Sequence, residues 1–382
     1  MTAPADWAER PERGGRVVVN ALLWLVLGLG ARASGWVVLP LSLWFLATSG
    51  AARAASRDYL TRVLGRPARL REVARHFHCF GSAILDRVFL LAGRTAGFSV
   101  ATEGLELMTS IVARRQGCVL LGAHLGSFEV LRSLAAQAPA RVWALMFRGN
   151  AGALTQALER LNPGLRESVI EIGDAAGMLR VSECIARGEI VGILADRIPS
   201  VGEPGHRVDN RQIAVPFLGG KALFPAGPFV LAAVLGAPVV LFHGVRTGPQ
   251  QYAVRFEPFA DRVVLRRTAR AEDLRAVVGR YAAALECACH AHPFNWFNFF
   301  AFWEHGDDAE NDPEHAGDAS VGADTGVDAG IPGGVDAGAA GGVGLDLGVA
   351  GGDGRPRGGA TTNPSARPCR RRRDPPAPRP DC

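Results

Sequence analysis

The sequence predicts an α/β fold: a mostly parallel, mixed sheet flanked by helices, with an apolar segment before it and a low-complexity tail after it. Three observations carry that prediction. Short β-rich runs alternate with helical ones between Cys118 and Phe256, the pattern of strands joined by crossover helices around a largely parallel, buried sheet. Two apolar runs near the start, residues 17–30 and 35–48, flank the polar step Ala31-Arg32-Ala33-Ser34. Finally, the formal net charge of +5 hides a split: residues 1–305 carry 34 basic and 24 acidic side chains, net +10, whereas residues 306–382 carry 8 and 13, net −5. A body of about 300 residues buries a full core without disulfide staples. Seven cysteines, an odd number scattered without a paired framework, read as reduced, cytosolic thiols.

Each of the two apolar runs has 14 residues. As a helix at about 1.5 Å per residue it reaches about 21 Å, short of a hydrocarbon core of roughly 30 Å. The arrangements that fit are one long tilted helix bent near Pro40, a helical hairpin dipping into one leaflet, or a hairpin buried in the core. Trp24, Trp36 and Trp44 favour a membrane, since indoles prefer its interface. The arginines that follow, from Arg53 to Arg71, outnumber Arg10, Arg13 and Arg16 before the runs, which places the body on the cytoplasmic side. Residues 1–50 are therefore read as a membrane-anchoring segment and residues 51–305 as the main domain.

Residues 58–91 read as helical, with Tyr59, Val63, Leu64, Val73, Phe77, Phe80, Ile84 and Leu85 recurring at threes and fours. Arg75, His76 and His78 within that stretch are taken as solvated polar positions. Strands are predicted at residues 118–123, 142–147, 169–172, 190–195, 238–245 and 252–256. Helices are predicted at 128–136, 152–161, 175–187, 226–235 and 271–289, the last leading into an aromatic run that ends at Trp303. From residue 306 the chain turns to Gly, Ala and Asp and closes on Arg370 to Arg373 among prolines, the composition of a disordered tail.

The strongest chemical signal is Val119-Leu120-Leu121-Gly122-Ala123-His124-Leu125-Gly126-Ser127-Phe128-Glu129. A buried strand ends at Gly122 and a histidine stands at its carboxyl end, the edge where sites of parallel sheets assemble. A turn between His124 and Glu129 would bring the carboxylate back onto the imidazole, fixing its tautomer and stabilising the imidazolium. Spacing alone proves little, because His305 and Glu310 share it at the edge of the tail. No activated Ser or Cys adjoins the pair, so the nucleophile would come from the substrate.

The stretch from Gly122 to Glu129, the block Val191-Gly192-Ile193-Leu194-Ala195-Asp196-Arg197, the run from Val215 to Pro228 and the closing Pro293-Phe294-Asn295-Trp296-Phe297-Asn298-Phe299 together resemble the lipid A biosynthesis (lauroyl/myristoyl) acyltransferase family of Gram-negative bacteria. That family lies within the lysophospholipid acyltransferase-like superfamily, and the likeness runs from Trp7 to Trp303. The opening from Trp7 to Gly14 resembles the branch associated with aryl-polyene or related glycolipid pathways. The resemblance implies transfer of a fatty acyl chain from an acyl carrier protein thioester to a hydroxyl of a lipid A precursor or related glycolipid, with His124 and Glu129 as the catalytic pair. It requires no cofactor and no metal. Arg148, which follows an apolar strand, matches a family arginine.

Other positions are weighed beside that pair. Arg148 stands as a substrate contact against the plainer reading of a surface arginine. Asp196 and Arg197 end an apolar strand and so face the same edge as His124, as substrate contacts or as a local ion pair. Lys221, the only lysine in the chain, sits after Gly219-Gly220, where a phosphate contact would fit. Cys287, Cys289, His290 and His292 invite a zinc reading, but on one continuous helix they point apart. The aromatic run reads as core and rim of an acyl site, because the body lacks the signature of a nucleic-acid binder. Two rivals remain beside the acyltransferase: a non-catalytic membrane lipid-binding scaffold of the same fold, and a hydrolase using water as acceptor. An intact His124 and Glu129 argues against the first; the lack of a protein nucleophile argues against the second.

Overall fold

Three helices precede every strand among the residues described in the computed structural model, which are 16–130, 141–147, 168–172, 175–197 and 212–303. α1 (Arg16–Thr48) is broken at Gly30, whose φ of 79° and ψ of 163° leave the helical region. Glycine alone tolerates that conformation cheaply. The single O–H of Ser34 is shared between the carbonyls of Val26 and Gly30, which lie 2.9 and 2.8 Å from its oxygen. Pro40, near which one of the arrangements open from the sequence places a bend, lies inside the second half of α1. α2 (Gly50–Leu64) ends on the left-handed Gly65, and α3 (Leu70–Leu91) starts after Pro67, so the helical stretch read over residues 58–91 belongs to two helices.

The sheet has seven strands among the described residues: β1 (Ser99–Glu103), β2 (Cys118–Gly122), β3 (Val142–Phe147), β4 (Val169–Ile172), β5 (Ile190–Leu194), β8 (Val239–Gly248) and β9 (Gln251–Ala260), in the order β1-β9-β8-β2-β5-β3-β4. β8, β2, β5, β3 and β4 run parallel; β9 turns back antiparallel to β8, and β1 runs parallel to β9. A separate antiparallel hairpin pairs β6 (Gln212–Phe217) with β7 (Gly220–Pro225). Helices α4 (Leu105–Ala113), α5 (Ala175–Ala186), α6 (Gly227–Leu235) and α7 (Arg270–Ala291) complete the described elements. β2 is buried along its whole length, as a central strand covered on both faces should be. The helix expected from residue 128 is described only to 130, and the one expected at 152–161 lies outside the described residues, as do Arg148 and the tail from residue 306.

The main core cluster joins Val119, Leu121, Val191 and Ile193 to Tyr59, Leu60, Phe77, Phe217, Phe224, Tyr281 and Trp296. A second cluster lies on the other face of the sheet around Leu120, Val240, Phe242 and Tyr252. A third joins α1 to α3 through Leu23, Val26, Val38, Leu85, Val88 and Phe89. The outer side of α1 is apolar and uncovered: Trp24 and Trp36 are 83% and 81% exposed, and Leu25, Leu29, Leu39, Leu43 and Trp44 are exposed with them. Among the described residues no single helix is long and apolar enough to cross a membrane, although Ala33–Thr48 and Gly50–Leu64, bent by 98°, are so as a pair.

Candidate active site

Register builds the site. β2 and β5 pair in parallel with Gly122 opposite Leu194, and the Ala195 N–H donates to the Gly122 carbonyl (3.0 Å). Two residues beyond each strand end stand His124 and Asp196, side by side at the carboxyl edge of the sheet. Asp196 is wholly buried. Its Oδ1 lies 2.8 Å from His124 Nδ1, and its Oδ2 accepts the His124 backbone N–H (3.0 Å) and the Trp296 indole N–H (2.9 Å).

The carboxylate can only accept, so His124 carries its proton on Nδ1 and presents the lone pair of Nε2. About a third of the His124 side chain is open to solvent, and Nε2 has no hydrogen-bond partner among the described residues. Burial and the Arg197 charge push the imidazole below its ordinary value against the pull of Asp196. The ring is therefore neutral at pH 7 and competent as a base. Burial pushes the Asp196 carboxyl up, but the His124 ring, Arg197 and the Trp296 hydrogen bond outweigh it and hold it below the usual carboxylate range.

Glu129, which the spacing assigns to the imidazole, is not the group on Nδ1. Its Oε1 accepts from Arg87 of α3 (3.1 Å). The reason lies in the loop between. Leu125 bridges Trp296 and Gly126 bridges Gly244, so the chain is pinned on both sides before it reaches Glu129 and leads that side chain toward α3. Gly126 has φ 77°, and a Cβ there would lie 2.0 Å from the Gly244 carbonyl oxygen; only glycine fits. Asp196, expected as a substrate contact, lies instead beneath the ring with no exposed surface.

The closing aromatic segment supports the loop. The Phe297 N–H donates to the His124 carbonyl (3.0 Å) and the Gly126 N–H to the Asn295 carbonyl (2.8 Å). Arg197 donates to the Phe297 carbonyl and lies over the Phe300 ring. Tyr281 of α7 donates to the Gly122 carbonyl (2.8 Å), propping the end of β2. Trp296 is 1% exposed, so this half of the run is core beneath the site.

The remaining sequence candidates fall elsewhere. Lys221 stands on β7, opposite Pro216 in the hairpin. Cys289 is buried while the His290 ring donates to the Val63 carbonyl (2.9 Å), so that cluster diverges; among the described residues no three His, Cys, Asp or Glu side chains gather as a metal site. His76 is fully buried, not solvated, and Arg75 lies over the Phe294 ring. Sequence reasoning passes over Trp296 and Asn295 as individuals, although both stand in the aromatic run, and over Asp86 and Arg246, which carry no local signal.

Chemically, the arrangement is a neutral imidazole oriented by a buried carboxylate, with its free nitrogen open at a sheet edge and no protein nucleophile beside it among the described residues. It can take a proton from a hydroxyl brought by a substrate. A family model described as bacterial lipid A biosynthesis acyltransferase matches residues 9–304. Comparison with the curated proteins gives no match.

Proposed function

We propose a reaction from one premise: the chain belongs to the bacterial lipid A biosynthesis acyltransferase family, by a match that covers most of its length. The reaction is transfer of a fatty acyl chain from an acyl carrier protein thioester to a hydroxyl of a lipid A precursor or related glycolipid, at the cytoplasmic face of the inner membrane. The observation that carries it is the hydrogen bond between His124 Nδ1 and Asp196, which leaves Nε2 as an oriented base.

In the forward step Nε2 takes the proton of the acceptor hydroxyl as its oxygen attacks the thioester carbonyl. The tetrahedral adduct collapses by breaking the carbon–sulfur bond, and the imidazolium returns its proton to the leaving thiolate. Asp196 keeps the ring in the productive tautomer throughout and stabilises the imidazolium between the two transfers. Glu129 belongs to the site as a positioning residue through Arg87, and Arg197 by fixing the Phe297 carbonyl. Arg148 and Lys221 are carried forward as contacts for anionic substrate groups, and the basic body suits an acidic carrier protein and anionic head groups. The bare apolar side of α1, with its indoles, seats in one leaflet.

The test is His124→Ala, assayed with lauroyl-acyl carrier protein and a lipid A precursor by mass spectrometry of the acylated product. Turnover should fall by about 10²- to 10⁴-fold, the usual contribution of a general base, while the protein still folds. Turnover within a few-fold of the wild type would sink the mechanism.

A further inference from the structure

Neighbouring residues on a helix point about 100° apart, and on α3 two neighbours of opposite charge hold two points of the chain that follows His124, one through intermediaries and one directly. Asp86, 3% exposed, accepts from Arg246 Nε and from the Tyr252 hydroxyl, both at 2.8 Å. Arg246 lies near the end of β8, and its backbone is clamped by Asn295: its N–H donates to Oδ1 (2.8 Å) and its carbonyl accepts from Nδ2 (3.2 Å). The Asn295 carbonyl in turn takes the Gly126 N–H. Thus Asp86 connects through Arg246 and Asn295 to the middle of the loop. Arg87, next in the chain, grips Glu129 just beyond it with Nε and Nη2, each 3.1 Å from Oε1.

Stability alone does not account for these pairs. Asp86 and Glu129 are almost fully buried, and a buried ion pair is often no more stabilising than well-packed apolar side chains of the same volume, because both charges lose their hydration. What such a pair does supply is direction, since a guanidinium meets a carboxylate in few geometries. α3 is also the helix on which α1 packs: a Cβ added at Gly81 would lie 3.0 Å from Val38 and Ser42. One helix therefore stands between the bare apolar side of α1 and the loop that carries His124.

We propose that Asp86 and Arg87 are positioning residues for acyl transfer, holding the middle and the far end of the His124 loop against α3 and so setting the reach of Nε2 to the acceptor hydroxyl. The inference rests on His124 as the base. It predicts a signature different from that of the ring's own partner. A displaced loop lowers kcat while leaving substrate affinity near normal. It does not change the acid limb of the rate profile either, because the hydrogen bond between His124 and Asp196 is untouched.

The experiment uses the full chain in detergent micelles with the same two substrates. Arg87→Met keeps the length of the side chain and removes its charge and donors; Arg87→Lys keeps the charge. Arg87→Met should lose about 10- to 100-fold in kcat, the scale set by misplacement of about 1 Å. Its KM should stay within about threefold and its acid limb in place, and Arg87→Lys should recover most of the loss. Asp86→Asn should behave like Arg87→Met, and if it fails to fold the Arg87 variants decide alone. A folded Arg87→Met with wild-type kcat, or with a shifted acid limb, overturns the inference. His124→Ala in the same assay separates the two ideas: if it stays active the general-base reading falls, and if it is dead while Arg87→Met is normal only the positioning role falls.

Discussion

His124 at the carboxyl edge of the sheet and His76 in α3 are both held neutral by their surroundings, yet only one keeps a ring nitrogen without a partner among the described residues. Burial pushes the His76 imidazole down to about 4. Its Nε2–H donates to the Trp296 carbonyl (2.9 Å), so Nδ1 accepts from the Ser56 hydroxyl (2.8 Å). Stacked on Phe299 with ring centroids 4.6 Å apart, it is closed on every side. His124 has the opposite tautomer, one nitrogen spent on a carboxylate and the other open. A lowered pKa thus marks both residues, and the difference lies in which nitrogen the fold leaves free. The two also share a support, since Trp296 gives its carbonyl to His76 and its indole N–H to Asp196.

The largest expected effect breaks the working half of that comparison. Asp196→Asn places an amide where the carboxylate was, and the amide can donate to Nδ1, which moves the proton to Nε2 and removes the base. Turnover should fall on the order of 10³- to 10⁴-fold, as loss of an orienting carboxylate does in hydrolytic triads. Steady-state kinetics of the purified variant measures this. A loss under tenfold would show that the tautomer is not set by Asp196.

Much of this was legible in the chain, and what was not has a common cause. β2, β3, β4 and β5 are short apolar runs whose burial is written in their composition, and His124 at the end of β2 follows from them. Which carboxylate holds the ring is a matter of register: Gly122 opposite Leu194 makes neighbours of residues 72 apart, whereas sequence spacing offers Glu129 close by. β1, exposed along most of its length, lacks an apolar run, and the β6–β7 hairpin carries Pro216 and Pro225, which argue against strands when read singly. His76 reads as a solvated helix position because Ser56 and the Trp296 carbonyl, which bury and satisfy it, come from distant segments.

An intermediate effect belongs to the closed histidine. An unfolded His76 titrates near 6.5 and the folded one near 4, so the unfolded chain binds a proton first as the pH falls. Stability from this residue is complete above about pH 6.5 and is lost between there and about pH 4, a total of about 3 kcal/mol. His243, also pushed down to about 4 by burial, adds to the same window. Urea unfolding at a series of pH values should show wild-type stability falling across it. His76→Phe should start lower, having lost both hydrogen bonds, but should fall by about 3 kcal/mol less over the same range. Parallel curves for the two proteins would mean that His76 is accessible to protons in the folded state.

The smallest effect separates the two histidines within one experiment. The proposed mechanism needs His124 unprotonated, so on it kcat/KM rises with pH through the pKa of that ring in the free enzyme. Burial and Arg197 lower it and Asp196 raises it, with a net shift below the ordinary 6.5. The midpoint of the acid limb should therefore lie on the acid side of 6.5, a displacement that rate measurements over about pH 5 to 8 resolve. His76→Phe should leave that midpoint in place while changing the unfolding curve, because His76 has no free nitrogen to offer a substrate. In Asp196→Asn, whose residual rate no longer reports the ring as a base, the titration of His124 followed by NMR should lie further down, since the substitution removes the charge that favours the imidazolium. A wild-type midpoint above 7 would mean that Asp196 outweighs burial and Arg197 at this edge of the sheet, and the ring would then rest largely as the imidazolium at neutral pH.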